Sequence, residues 1–233
     1  MYPSNRFSPG WGMKVKDFIM RVRPKIVAIP ALSGIMAPFL MVSLWAIASL
    51  LRPGYDQLTQ YGSELGTGDN SVIMNANFLI TGILIVSFSL GLLTRIRTGF
   101  WSRAGSIFVG LFGMGEIATA AFPCDPGCPL TNPQSLYQQV HNGIAAVAFT
   151  AIAVAPLLVS VRLKRDKLWR NYRAYSLGTG FAALGLFITF SIAALYSLLY
   201  VGLLQRLFLA FPFLWIELLA IHLLAISKRG RTS

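Results

Sequence analysis

Charge is what this sequence has least of. Asp, Glu, Lys and Arg make up 12% of its 233 residues, about half the share carried by a soluble domain. The apolar residues are gathered into long uncharged runs, and runs of about 20 match the thickness of a bilayer core. A soluble globular domain is thereby excluded, and an all-α integral membrane protein is expected. Histidine and cysteine are scarce too, with two of each. A catalytic zinc asks for about three protein ligands, and neither His-x-x-x-His nor His-Glu-x-x-His occurs; no metal and no cofactor are expected. The net charge of +12 would suggest nucleic acid in a soluble protein. Here no groove-reading motif accompanies it, and its source is the placement of Lys and Arg on one side of a membrane.

What is there, taken along the chain, is a tail, six spans and a second tail. Residues 1–12 are rich in Pro, Gly and Ser. Val15, Phe18, Ile19 and Val22 then fall at i, i+3, i+4 and i+7 with Lys14, Lys16, Arg21 and Arg23 off the stripe. That pattern, ended by Pro24, predicts a short amphipathic helix on an anionic membrane surface. Residues 1–25 form this N-terminal segment, 26–227 a single six-helix transmembrane domain, and 228–233 a basic tail. The spans are expected at about 26–51, 72–94, 103–121, 137–161, 174–199 and 206–227. The fifth and sixth share one uncharged run from Ala174 to Gln205, too long for one crossing, and a hairpin near Tyr200–Arg206 containing Gly202 is expected to divide it. Pro38 should kink the first span. That span is too long for a signal peptide, although Ala46-Ile47-Ala48 resembles a cleavage site. Ser106, Gly110 and Gly113 form a small-residue stripe that permits close helix packing in lipid.

Of the 20 basic residues, all but Arg52 and Arg206 fall in the N-terminal segment, the turns near 95–103 and 162–173, and the C-terminal tail. This bias puts both termini in the cytoplasm and the loops 52–71 and 122–136 outside the cell membrane. Between the third and fourth spans lies Phe122-Pro123-Cys124-Asp125-Pro126-Gly127-Cys128-Pro129. Three prolines and a glycine exclude helix and strand, and Asp125–Cys128 reads as a type II β-turn. On an oxidising outer face Cys124 and Cys128 are expected to form a disulfide around Asp125; free thiols or a soft-metal site are the alternatives.

Ser63-Glu64-Leu65-Gly66 after the first span, the octet at 122–129 and His141 at the head of the fourth span together resemble the signature of the bacterial and archaeal "domain of unknown function 998" membrane proteins. The likeness covers nearly the whole chain. It implies a six-span architecture without an assigned activity, and it marks Ser63, Gly66, Asp125 and His141 as the positions to watch.

The polar groups predicted at the outer end are Ser63, Glu64, Asn75, Glu116, Asp125 and His141. Glu116 lies inside the third span, where an ionisable residue is costly and needs a partner; His141 matches it in depth. One reading is a site for a lipid head group or small amphiphile. The plainer one is a structural network in which Asp125 caps the fourth helix and Glu116 bonds His141. A membrane enzyme, hydrolase or transferase, would use His141 with Asp125 and Glu116 as catalytic groups, but Ser63 lies in no Gly-x-Ser-x-Gly elbow. Glu217 and His222 form a second intramembrane pair, about 140° apart around the sixth helix, and Glu217 is a candidate proton or cation site of a small transporter. Membrane lipids are the expected partners, with no nucleic acid.

Overall fold

The computed structural model describes residues 10–96, 99–131 and 135–229, with side chains from residue 28 onward apart from Ser102, Arg162 and Arg229. Six long helices account for most of it: α1 (Gly10–Leu51), α2 (Ser71–Arg95), α3 (Phe100–Ala121), α4 (Leu136–Leu163), α5 (Arg173–Leu195) and α6 (Val201–Arg229). Each contains a stretch long and apolar enough to cross a membrane. Helix is the form such runs must take in lipid, because every backbone N–H and C=O has to be paired within the segment. Large apolar side chains face outward, among them Leu50, 83% exposed, and Phe39, 62% exposed. In water these would be a liability; against acyl chains they are solvated.

The helices form a closed ring. Each packs against its neighbours in sequence, and α1 closes the circle on α6. The stripe on α3 packs backbone to backbone on α2. A Cβ on Gly113 would stand 2.8 Å from the Gly82 carbonyl oxygen of α2, and one on Gly82 would stand 2.6 Å from the Gly113 oxygen. Ser89 of α2 donates to the Ser106 carbonyl at 2.7 Å. Interior polar bonds pin other pairs: Asn77 of α2 to the Met41 carbonyl of α1 at 3.0 Å, and Trp215 Nε1 of α6 to Ser176 Oγ of α5 at 2.9 Å.

Two boundaries differ from expectation. Pro24 does not end a separate helix; α1 runs unbroken from Gly10 through it. A proline removes one backbone donor but supplies a helical φ, so the turns on either side can continue. The basic stripe of residues 14–23 lies outside the described side chains. The hairpin between the last two spans is at 196–200, earlier than Tyr200–Arg206, with Ser197 (φ 50°) and Tyr200 (φ 67°) in the left-handed region. Gly202 and Arg206 belong to α6 instead. Gly202 allows the 52–71 segment to lie on the helix: a Cβ there would come within 2.3 Å of the Gln60 carbonyl oxygen.

The ring has two unlike ends. One carries Arg95, Lys164, Arg165, Lys167, Arg170, Arg173 and Lys228. The other carries the 52–71 segment, with a short 3-10 helix at Gly62–Gly66, and residues 122–131.

Candidate functional site

A cavity of ≈ 300 Å³ lies inside the ring at the end away from the basic cluster. All six helices contribute to its wall: Met41 and Trp45 from α1, Met74 and Phe78 from α2, Glu116 and Thr119 from α3, His141 and Phe149 from α4, Phe187 and Phe190 from α5, Gln205 and Leu209 from α6. Tyr61, Gly62, Ser63 and Cys128 line it from the connecting segments. The wall is mostly apolar and aromatic, with a few polar groups converging, which is the ordinary composition of a small-molecule site. Ala146 of α4 lines the cavity and is itself exposed, and Ser191 of α5, half-buried, lines the same cavity. The cavity is open rather than enclosed, and α4 and α5 both contribute to its wall.

Glu116 sits in this wall, 6% exposed, and its Oε2 has no hydrogen-bond partner among the described residues. α3 delivers it one turn beyond the Gly113 contact with α2, so its backbone is held where the two helices are closest. A buried carboxyl without a partner is costly, and the fold leaves this one facing a cavity.

His141 is also buried and lines the same cavity. Its Nδ1 lies 2.9 Å from the Phe122 carbonyl oxygen. A carbonyl only accepts, so Nδ1 carries the proton and, in the neutral ring, Nε2 keeps its lone pair. Among the described residues no hydrogen bond joins His141 to Glu116, so the expected pairing of the two is not made. Ser63 faces the cavity and the bridge: its hydroxyl lies 3.5 Å from Cys128 Sγ and its carbonyl oxygen 3.6 Å from Cys124 Sγ.

Cys124 and Cys128 are joined by a disulfide with their Cα atoms 5.1 Å apart. The turn inside it is closed by the Cys128 N–H donating to the Asp125 carbonyl at 2.8 Å, with Gly127 at φ 80°, as a type II turn requires. Asp125 does not line the cavity. Its carboxylate accepts from the Ser135 hydroxyl at 2.6 Å and the Ser135 N–H at 3.0 Å, just ahead of α4. Ser135 Oγ in turn accepts from the Gln138 N–H at 3.0 Å, an N-cap. Asp125 thus orders the start of the helix that carries His141.

Glu64 and Asn75 also serve the scaffold. Glu64 accepts from the Tyr61 N–H at 3.0 Å and from Gln60 Nε2 at 2.8 Å. Asn75 donates to the Gly66 carbonyl at 3.1 Å. Neither lines the cavity. At the opposite end, His222 Nε2 donates to the Leu168 carbonyl at 2.8 Å, its ring 4.8 Å from that of Trp169 and 4.4 Å from that of Tyr172. Glu217 is half-buried beside Tyr175. The two are not paired with each other among the described residues.

Sequence reading missed the aromatic wall and one organiser. Arg206 donates to Tyr55 Oη at 2.7 Å, the Gly202 carbonyl at 2.8 Å and the Gln60 carbonyl at 3.2 Å, and its guanidinium lies 4.7 Å from the Trp45 ring centre. Gln205 Oε1 accepts from the Gly62 N–H at 2.8 Å. The available signal was that Arg52 and Arg206 break the one-sided charge pattern. Both are spent on carbonyl groups, Arg52 on those of Thr67 and Asp69.

Compared with known proteins, residues 35–222 match the model of one family, described as a protein of unknown function (DUF998). No curated protein and no solved structure matches the chain.

Proposed function

We propose that this chain, which belongs to the DUF998 family, is a membrane protein that binds a small amphiphile in the six-helix cavity. The polar head lies against Glu116, Ser63 and His141, and the apolar tail leaves between α4 and α5. The observation that carries this reading is Glu116 Oε2, buried in a cavity wall without a partner; a bound head group would satisfy it. The exposed Ala146 supports the route of the tail, since a lipid chain reaches the cavity there without crossing water. By the Lys/Arg bias the cavity end faces outward, so the amphiphile comes from the outer leaflet.

Native mass spectrometry of protein extracted in a mild detergent tests this. Wild type is expected to carry co-purified amphiphile, and Glu116→Gln to carry much less. Equal retention by the two would end the reading.

A second reading, an enzyme acting on a lipid, has one observation in its favour: the bond to Phe122 leaves His141 Nε2 free to accept a proton. Asp125 is taken up by the cap of α4, so the acid partner would have to be Glu116. Transport through Glu217 has no comparable support, because the cavity wall does not include that residue.

A further inference from the structure

We propose that the head group is an amine, held as its ammonium by the carboxylate of Glu116; this rests on the amphiphile reading above and names its ligand class. Among the described residues, the cavity wall contains one acid and neither lysine nor arginine. Arg206 does not line the cavity; it is committed to Tyr55, Gln60 and Gly202, and its guanidinium lies 4.7 Å from the Trp45 ring centre. A phosphate, sulfate or carboxylate head would therefore enter beside Glu116 with no positive side chain to compensate it, and like charges at short range oppose binding. A hydroxyl head could donate one bond to Oε2 but brings no charge to hold the buried carboxyl ionised. An ammonium supplies both the missing donor and the missing charge, and charge-assisted bonds are roughly twice as strong as neutral ones.

The rest of the wall suits the same group. An ammonium has three donors and no acceptor. His141 Nε2, with its proton held on Nδ1 by Phe122, can only accept in the neutral ring. Thr119 and Ser63 add hydroxyl acceptors. Tyr61 and Phe190 belong to the same wall, and aromatic rings attract a desolvated cation. Trp45 Nε1 in the same wall is a buried donor without a partner among the described residues, but a neutral N–H asks for an acceptor and not for a negative charge.

The test uses the full chain in detergent micelles, titrated with octylamine, octanol and octyl phosphate and followed by thermal unfolding and tryptophan fluorescence. Octylamine is expected to bind saturably and about tenfold more tightly than octanol, with octyl phosphate weakest. Glu116→Gln should reduce octylamine to the level of octanol and leave octanol unchanged. Ala146→Phe, which blocks the opening without touching the acid, should weaken octylamine and octanol alike, so the test does not hang on one variant. If octanol equals octylamine, or Glu116→Gln keeps the preference for the amine, the ammonium assignment is overturned while the amphiphile reading stands. Should none of the three bind saturably, both fail together.

Discussion

Arg206 shows how one residue ties sequence-distant parts together. Its guanidinium bonds Tyr55 and Gln60, well over a hundred positions earlier, and lies on the face of Trp45 in the cavity wall. Three hydrogen bonds to a charged group and a partly desolvated cation–π contact depend on it. Arg206→Ala should therefore destabilise the protein by about 2–3 kcal/mol, read as a lowered unfolding temperature in detergent. Arg206→Lys should recover little, because an ammonium cannot reproduce the planar fork or its stacking. Glu116 is the opposite case. It makes no hydrogen bond among the described residues, so its presence is not explained by stability; the ligand proposed above accounts for it.

At the scale of elements, the bridged turn and the helix it precedes behave as one unit. Asp125 lies inside the disulfide loop and accepts from Ser135 ahead of α4, and the Asp125 N–H donates to Gln138 Oε1 at 2.6 Å. The loop closed by the bridge is only a few residues long, so its chain-entropy contribution is small, on the order of 2 kcal/mol. Cys124→Ala should leave the global unfolding temperature within a few degrees of wild type. Amide exchange should nonetheless speed up locally at 124–129 and in the first turn of α4. Uniform acceleration across the six helices would instead mean that the bridge holds the bundle together. The location of the last hairpin belongs to this scale as well. Gly202 and Arg206 look like turn residues in one dimension. Their role is to let the 52–71 segment lie on α6, where the Leu203 N–H donates to the Leu58 carbonyl at 2.9 Å.

The whole molecule is a ring with a basic end and a cavity end, and the charge bias orients it. We propose cytoplasmic termini on that basis. A C-terminal reporter active only in the cytoplasm should be active, and a thiol reagent that cannot cross membranes should label Cys124 and Cys128 in intact cells after mild reduction. A silent reporter with unlabelled cysteines would invert the topology. The proposed site would then face the inner leaflet.

The sequence by itself determined the number and kind of elements. Lengths of uncharged run, the scarcity of acids, and the Lys/Arg asymmetry are one-dimensional quantities, and the bilayer converts them directly into spans and a proposed orientation. The turn at Asp125–Cys128 was legible for the same reason, since proline and glycine act on their own backbone. The small-residue stripe of α3 was legible as a contact surface, though its partner on α2, Gly82, was not. Only the tertiary structure decided which polar groups share a space. Ser63, Glu116 and His141 come to one cavity, while Glu64 and Asp125, indistinguishable from them by type and predicted depth, are consumed in caps and loop bonds, and Asn75 spends its Nδ2 on a loop carbonyl away from the cavity. Local sequence specifies a side chain's chemistry and its depth along a helix. Whether that side chain finds a partner or an empty space depends on how six helices close into a ring, a property of no single segment.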